Sequence, residues 1–172
     1  MGELLGLYYF EKWGVDVRGI RFPGVISSEA PPGGGTTDYT VEMFYAAVRG
    51  EPYTCFLRED SRLPMIYMPD CLKAMRLLMD APPDRLLQRT SYNLNALSFT
   101  PGELAAAIRK KLPEFKVDYK PDYRQKIPDS WPMSVDDSFA RAEWGWSPDY
   151  GLDEMVEDML SRLREKPLQG QL

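Results

Sequence analysis

Residues 21–39, RFPGVISSEAPPGGGTTDY, join the end of one predicted strand to the start of a helix through a loop rich in proline and glycine. Three consecutive glycines in this loop let the backbone approach a small molecule closely, and two adjacent threonines add hydroxyl groups. Asp38 is predicted to cap the following helix, whose first amides favour an anion such as a carboxylate. Taken without its neighbours, the same stretch also fits a plain flexible surface loop.

Local patterns on either side of this stretch predict alternating helices and strands. On the N-terminal side they predict a helix at 3–13 closed by Gly14, then a strand at 16–22. On the C-terminal side they predict a helix at 39–49 closed by Gly50, strands at 53–57, 64–68, 90–94 and 115–119, a helix from Pro69 or Asp70 to about Met79, and helices at 103–112, 139–144 and 152–164. The helix ending near Met79 is expected to turn four apolar side chains inward: Leu72, Met75, Leu78 and Met79.

Two of these helices carry recognisable start signals. Thr100 and Glu103 form a capping box with proline between them, and Asp136 or Asp137 is placed to cap the short helix at 139–144. The alternation of elements indicates an α/β fold. No linker or internal repeat divides the chain, so we expect one unit over residues 1–172, with a frayed tail after Lys166.

Composition and charge exclude several classes of function. The 172 residues suffice for one domain, and a net charge of −5 with scattered basic residues argues against a nucleic-acid-binding groove. No apolar run is long enough to span a membrane, and no secretory signal is recognisable. Cys55 and Cys71 are interpreted as buried free thiols in a reducing compartment. Because the chain contains no histidine, its chemistry must use tyrosine, lysine, cysteine or carboxylates, and no metal site is predicted.

A few single residues invite a functional interpretation beside an ordinary structural one. Arg62 precedes a buried strand, so its guanidinium is either a group reaching into a ligand pocket or a surface arginine. Trp131, Trp144 and Trp146 are by default core aromatic residues.

Four segments together resemble the extended short-chain dehydrogenase/reductase superfamily, which includes the sugar-nucleotide epimerases. They are GELL at 2–5 with the tyrosine pair at 8–9, DVRGIRFPGVIS at 16–27, MIYMPDCLKAM at 65–75 and DDSFARAEWGWSPDY at 136–150. The resemblance covers essentially the whole chain. It implies the C-terminal part of an extended-SDR Rossmann-type fold, with the last sheet strands and a small α/β substrate-binding lobe.

Within that superfamily the chain resembles the short-chain-type L-threonine 3-dehydrogenase family. This resemblance rests on RFPGVIS, GGGTTDY, RLPMIYMPDCLKA, YNLNALSFTPGELAAAIRK and DSWPMSVDDSFARAEWGW. It implies oxidation of L-threonine to 2-amino-3-oxobutanoate, with NAD as cofactor. It also implies cofactor contacts at Pro23, Gly24, Val25 and Ile26, and substrate contacts at Gly35, Thr36, Thr37, Arg62 and Trp131.

The family's remaining chemistry is not expected within these residues. The chain contains no Gly-x-x-Gly-x-x-Gly fingerprint, and alignment on Glu3 places the family's catalytic lysine ahead of Met1. Tyr8 and Lys12 have the spacing of the catalytic pair, but both lie beyond its expected position. We therefore expect no catalytic residue here, no activity of the chain by itself, and either self-association or a partner carrying the NAD-binding half.

Two alternatives remain open at this point: a fragment of a sugar-nucleotide epimerase or dehydratase, and a non-catalytic binding or dimerisation module. The expected location is the cytoplasm, or the mitochondrial matrix in a eukaryote.

Overall fold

Helices and strands alternate along residues 1–165, the part of the chain that this computed structural model describes. The helices are α1 (Gly2–Trp13), α2 (Tyr39–Arg49), α3 (Met68–Asp80), α4 (Pro101–Lys111), α5 (Ser138–Trp144) and α6 (Leu152–Glu165). The strands are β1 (Ile20–Arg21), β2 (Gly24–Ile26), β3 (Tyr53–Cys55), β4 (Leu63–Tyr67), β5 (Tyr92–Asn93), β6 (Leu97–Phe99) and β7 (Val117–Tyr119). The predicted α/β class is confirmed. The expectation for the tail after Lys166 lies outside the described residues.

Three small sheets organise these strands. β1 pairs in parallel with β5, and β3 pairs in parallel with β7. β4 is the central strand of the third sheet, parallel to β2 and antiparallel to β6. β4 is buried along its whole length, as a strand covered on both faces should be.

Two apolar clusters hold the fold together. The larger one packs α2, α4 and α6 against β3, β4 and β6. The smaller one joins α3 and α5 to β5 and includes Trp144 and Trp146. Both cysteines are buried and unpaired, as predicted. Among residues 1–165, no helix has the length and apolar character needed to cross a bilayer.

Helix ends set by local sequence agree closely with prediction. α1 and α2 end at Gly14 and Gly50, both in the left-handed conformation at φ 68° and 70°, where glycine has no Cβ penalty. At the start of α4, Thr100 Oγ1 accepts from Glu103 N at 3.1 Å, and Glu103 Oε2 accepts from Thr100 N at 3.0 Å. This reciprocal pair is the predicted capping box.

The predicted length of the strand at 16–22 is wrong, because most of these residues do not pair with another strand and Arg18 among them contacts the end of α3. Regular pairing is confined to β1, and a separate strand, β2, starts at Gly24, where the predicted strand was expected to have ended. The Arg18 guanidinium donates to the carbonyls of Leu78, Met79 and Ala81 at 2.5, 2.9 and 2.8 Å. The segment before β1 therefore satisfies the end of α3 instead of extending a sheet.

The predicted inner face of α3 is wrong for three of its four members. Leu72, Met75 and Met79 are 56%, 40% and 74% exposed, and only Leu78 is buried. The buried stripe is instead Asp70, Cys71, Ala74 and Leu78. Small side chains let the helix lie close to its neighbours, and the Asp70 carboxylate accepts from the backbone amides of Asp149 and Tyr150.

Candidate functional site

A cavity of about 460 Å³ opens beside the C-terminal ends of β1 and β5. The cavity lies at the carboxyl ends of β1 and β5, where ligands bind in open α/β sheets, and also at the amino ends of β2 and β4. The residues that line it are Arg21, Phe22, Pro23, Gly24, Val25, Thr37, Pro64, Asn93, Trp131, Pro132 and Val135.

Gly24 allows one wall of the cavity to consist of backbone. A Cβ atom at this position would lie 2.5 Å from Met65 Sδ and 2.7 Å from Thr37 Cγ2. Met65 is held in place because it lies opposite Gly24 in the parallel pairing of β2 with β4. Both atoms belong to side chains, so any larger residue at this position would have to displace Met65 or Thr37.

The glycine-rich loop is folded by the carboxylate of Asp38. Asp38 Oδ2 accepts from Gly33 N at 2.6 Å and from Gly35 N at 2.9 Å. Asp38 is the N-cap residue of α2 by position, but its side chain makes no capping hydrogen bond to that helix. A carboxylate of the protein thus lies on the amides of the loop, so the anion attraction predicted for this end of α2 is opposed by a fixed negative charge.

The predicted substrate contacts of this loop are not equivalent in the structure. Thr37 lines the cavity, and its carbonyl accepts from Thr40 Oγ1 at 2.8 Å, which ties it to the first turn of α2. Thr36 and Gly35 lie one and two residues before Thr37 and are not among the lining residues.

Trp131 is one of the two aromatic residues that line the cavity, the other being Phe22. The exposed fraction of Trp131 is 42%, whereas Trp144 and Trp146 are 7% and 2% exposed. The default expectation of a core aromatic is therefore confirmed for the latter two and wrong for Trp131. Five of the nine predicted contact residues share this one cavity: Pro23, Gly24, Val25, Thr37 and Trp131.

Two predicted contacts lie elsewhere. The Arg62 guanidinium donates to the carbonyl of Ser98 at 2.6 Å and forms an ion pair with Glu103, and Arg62 is not among the lining residues. The hydrogen bond from Arg62 lowers the pKa of the Glu103 carboxyl. Ile26 is completely buried behind the cavity wall.

Arg21 and Asn93 are lining residues that the sequence interpretation did not include. They are paired in register at the ends of β1 and β5. Arg21 Nε donates to Glu3 Oε1 at 2.5 Å, and this hydrogen bond lowers the pKa of the Glu3 carboxyl. Asn93 Nδ2 donates to the carbonyl of Asp136 at 3.3 Å. The rule that sites form at the carboxyl ends of parallel strands could have identified both.

Nucleophiles and metal ligands are not assembled around the cavity. Burial raises the pKa of Cys55 to about 11 and of Cys71 to about 12, so both thiols stay protonated at neutral pH. Tyr8 and Lys12 are not among the lining residues, and the Tyr8 ring packs edge-to-face on Trp13 at 5.2 Å. Over the described range 1–165, no group of three or more histidine, cysteine, aspartate or glutamate side chains could hold a metal ion.

Known proteins resemble this chain over most of its length. No family model matches the chain. The mitochondrial L-threonine 3-dehydrogenase of Bos taurus is 51% identical over 160 residues, which is 92% of this chain and 43% of that protein. The apo structure of a GalE-like L-threonine dehydrogenase from Cupriavidus necator is 59% identical with a TM-score of 0.92, covering 94% of this chain and 58% of that one. The chain is homologous to the C-terminal part of the short-chain-type L-threonine 3-dehydrogenases.

The chain spans about half the length of these threonine dehydrogenases. A UDP-glucose 4-epimerase from Thermotoga maritima has the same fold, with a TM-score of 0.77 at 18% identity. At that identity the likeness concerns the fold alone. The identity of the chain to the threonine dehydrogenases is much higher than its identity to this epimerase.

Proposed function

We propose that these residues supply the substrate-binding part of an NAD-dependent L-threonine 3-dehydrogenase, which oxidises L-threonine to 2-amino-3-oxobutanoate. One observation carries the proposal: three of the four residues expected at the nicotinamide, Pro23, Gly24 and Val25, share a single cavity with Thr37 and Trp131, which are expected at the substrate. The catalytic tyrosine and lysine, and the cofactor fingerprint, belong to the other half of the enzyme.

The wall at Pro23, Gly24 and Val25 is chemically suited to a nicotinamide ring. Proline has no N–H, glycine has no side chain, and valine is apolar, so the wall offers an apolar surface to an aromatic face. Ile26 supports it from behind. When bound, NAD supplies the hydride acceptor, and these residues position the ring and exclude water from this side.

The substrate contacts are proposed from the position of Thr37. Its place in the lining allows it to approach a bound amino acid, with Gly35 and Thr36 at the rim beside the carboxylate or ammonium group. Arg62 remains a proposed contact, and it requires the guanidinium to leave Glu103 or Ser98. Trp131 closes the cavity on the side that Pro132 and Val135 also line.

The purified 172-residue chain is expected to give no NADH from L-threonine and NAD, because the general base and its lysine are not among these residues. The matched control is the same chain preceded by the NAD-binding half, which is expected to oxidise L-threonine. Absorbance at the NADH band measures both.

Turnover by the 172 residues alone would contradict the proposed inactivity. Activity of the longer protein on a nucleotide sugar, with none on L-threonine, would contradict the proposed substrate. Calorimetry of the 172-residue chain with L-threonine and with NAD addresses the third possibility, since a non-catalytic binding module should bind a ligand without the other half.

The outer face of α1 is proposed to contact either a second copy of the chain or the NAD-binding half. Gly6 is the only buried residue of α1, all of which lies within the described residues. The exposed large apolar side chains of this helix are Leu4, Leu5, Leu7, Tyr8, Tyr9 and Trp13. Such a continuous patch is costly to leave in water and marks an association surface.

We expect the 172-residue chain to self-associate, as measured by light scattering. Replacing Leu4 and Tyr8 by glutamate should shift the chain towards monomer, because charges on the patch oppose its burial. The double change Ala106→Glu and Ser161→Glu, at exposed positions of α4 and α6, adds the same charge away from α1 and should leave the distribution unchanged. A monodisperse monomer of the unsubstituted chain would count against this association.

A further inference from the structure

One wall of the cavity belongs to a long segment with little regular structure. Residues 123–137, here called the strap, contain two single 3₁₀ turns, Tyr123–Lys126 and Pro128–Ser130, and no longer helix or strand. Trp131, Pro132 and Val135 of the strap line the cavity. Because the strap has no sheet or helix to fix it, its position depends on a few side-chain hydrogen bonds.

The second half of the strap has three anchors, one of which is the bond from Asn93 Nδ2 to the carbonyl of Asp136. Ser98 Oγ, on β6, donates to the carbonyl of Met133 at 2.6 Å. The Asp137 carboxylate accepts from Trp146 Nε1 at 3.0 Å and from Asn95 N at 3.3 Å. These bonds fix the strap on the side that leads into α5.

The first half is held by Gln125, which is 6% exposed. Gln125 Oε1 accepts from Arg58 N at 2.8 Å, and Gln125 Nε2 donates to Ser61 Oγ at 2.9 Å. Gln125 Nε2 also donates to Asp129 Oδ1 at 2.8 Å, and Asp129 is paired in turn with the Arg58 guanidinium at 2.6 Å. A single buried amide therefore connects the strap to the loop before β4 and to its own second turn.

Gln125 does not line the cavity, but its hydrogen bond to Asp129 holds the 3₁₀ turn that precedes Trp131. Trp131 N donates to the carbonyl of Pro128 at 3.0 Å, so the tryptophan is set by the turn that Asp129 occupies. Only an amide serves all the partners of Gln125, because Arg58 N requires an acceptor and Asp129 requires a donor.

We propose that Gln125 is a positioning residue that fixes the Trp131 wall and thereby restricts the cavity to short 2-amino-3-hydroxy acids. This inference rests on the proposed function for its substrate, but the position of the wall is a property of the chain by itself. Buried hydrogen-bond hubs of this kind make one arrangement unique when every partner is satisfied.

The test compares Gln125→Glu with the double variant Gln125→Glu/Asp129→Asn. The single change places two carboxylates at a 2.8 Å contact, whereas the double variant restores a donor and an acceptor there with the original net charge. Acrylamide quenching of Trp131 fluorescence is taken as the difference between each chain and its Trp131→Phe version. The quenching constant should rise about twofold in the single variant and return to the value of the unsubstituted chain in the double variant.

In the longer enzyme, Gln125→Glu should raise KM for L-threonine about tenfold, with kcat changed less than about threefold. Discrimination against a 2-amino-3-hydroxy acid one or two carbons longer should fall by about the same factor, and the double variant should restore both values. Where Gln125→Glu does not fold, Gln125→Met, which removes the bonds without adding charge, takes its place.

Tyr53→Phe is the stability control, because it removes the 2.6 Å hydrogen bond to Glu42 without touching the strap. Unchanged quenching in a folded Gln125 variant, or an equal change in Tyr53→Phe, would overturn the positioning role. Loss of the threonine reaction in the unsubstituted enzyme would instead overturn the proposed function, while the quenching experiment would still decide the role of Gln125.

Discussion

Replacing Gly19 by alanine is expected to lower the free energy of unfolding by about 2–3 kcal/mol, measured by urea denaturation of the 172-residue chain. An added Cβ would lie 2.5 Å from the carbonyl oxygen of Thr90 and 3.0 Å from its carbon. Both atoms are backbone, so no side-chain rotation can relieve the contact.

The cost is large because Gly19 begins the pairing of β1 with β5. Its N–H donates to Arg89 O at 2.9 Å, and its carbonyl accepts from Tyr92 N at 3.1 Å. Arg89 has a left-handed backbone at φ 38° and is held by its ion pair with Asp16. These hydrogen bonds and the ion pair hold the segment that contains Thr90 in place, so it cannot easily move away from an added Cβ at Gly19.

Gly2→Ala is the matched control for this substitution. Gly2 begins α1, and an added Cβ there meets no atom within 4 Å. Its effect should stay within about 0.5 kcal/mol of zero. If Gly19→Ala behaves like Gly2→Ala, the close approach of Gly19 to Thr90 is not maintained in solution.

Features determined within one or two turns of the chain were predictable. The capping box at Thr100 depends on residues three apart, and the end of α2 depends on one glycine that can adopt positive φ. The strands were predicted less well because their lengths are set by distant partners. β6 was not predicted at all, because it forms by antiparallel pairing with β4, which is distant in sequence.

Helical periodicity identified α3 but not the side that faces inward. Leu72, Met75 and Met79 have helical spacing, and so does the stripe of Asp70, Ala74 and Leu78 that is actually buried. Hydrophobicity alone favours the first stripe. The second prevails because the Asp70 carboxylate accepts two backbone amides more than seventy residues away, which no local pattern reveals.

In the candidate site, too, the residues set by local sequence were predictable and those set by distant contacts were not. The family resemblance named Pro23, Gly24 and Val25, which line one cavity because they follow one another along the chain at a strand end. It did not indicate Asn93 or Gln125, because their roles depend on pairing with β1 and on contacts with the loop before β4. Residues placed by long-range contacts require the structure.

Replacing Gly24 by alanine is expected to lower kcat/KM for L-threonine about 100-fold in the longer enzyme. The new methyl group would lie 2.5 Å from Met65 Sδ and 2.7 Å from Thr37 Cγ2. Met65 is fully buried, so the strain moves Thr37 and the backbone wall apart. A displacement of about 1 Å at a reacting centre costs on the order of 100-fold in rate.

The double variant Gly24→Ala/Thr37→Ser separates geometry from general instability. Serine lacks the Cγ2 methyl of Thr37, so half of the steric conflict disappears while the hydroxyl stays, and about tenfold of the lost activity should return. Gly33→Ala is the control, because its added Cβ would have only an ordinary contact at 3.7 Å with Asp38. Full activity of Gly24→Ala, in a variant as stable as the parent, would show that no reacting group lies against this wall, and the assignment of residues 23–25 to the nicotinamide would then fail.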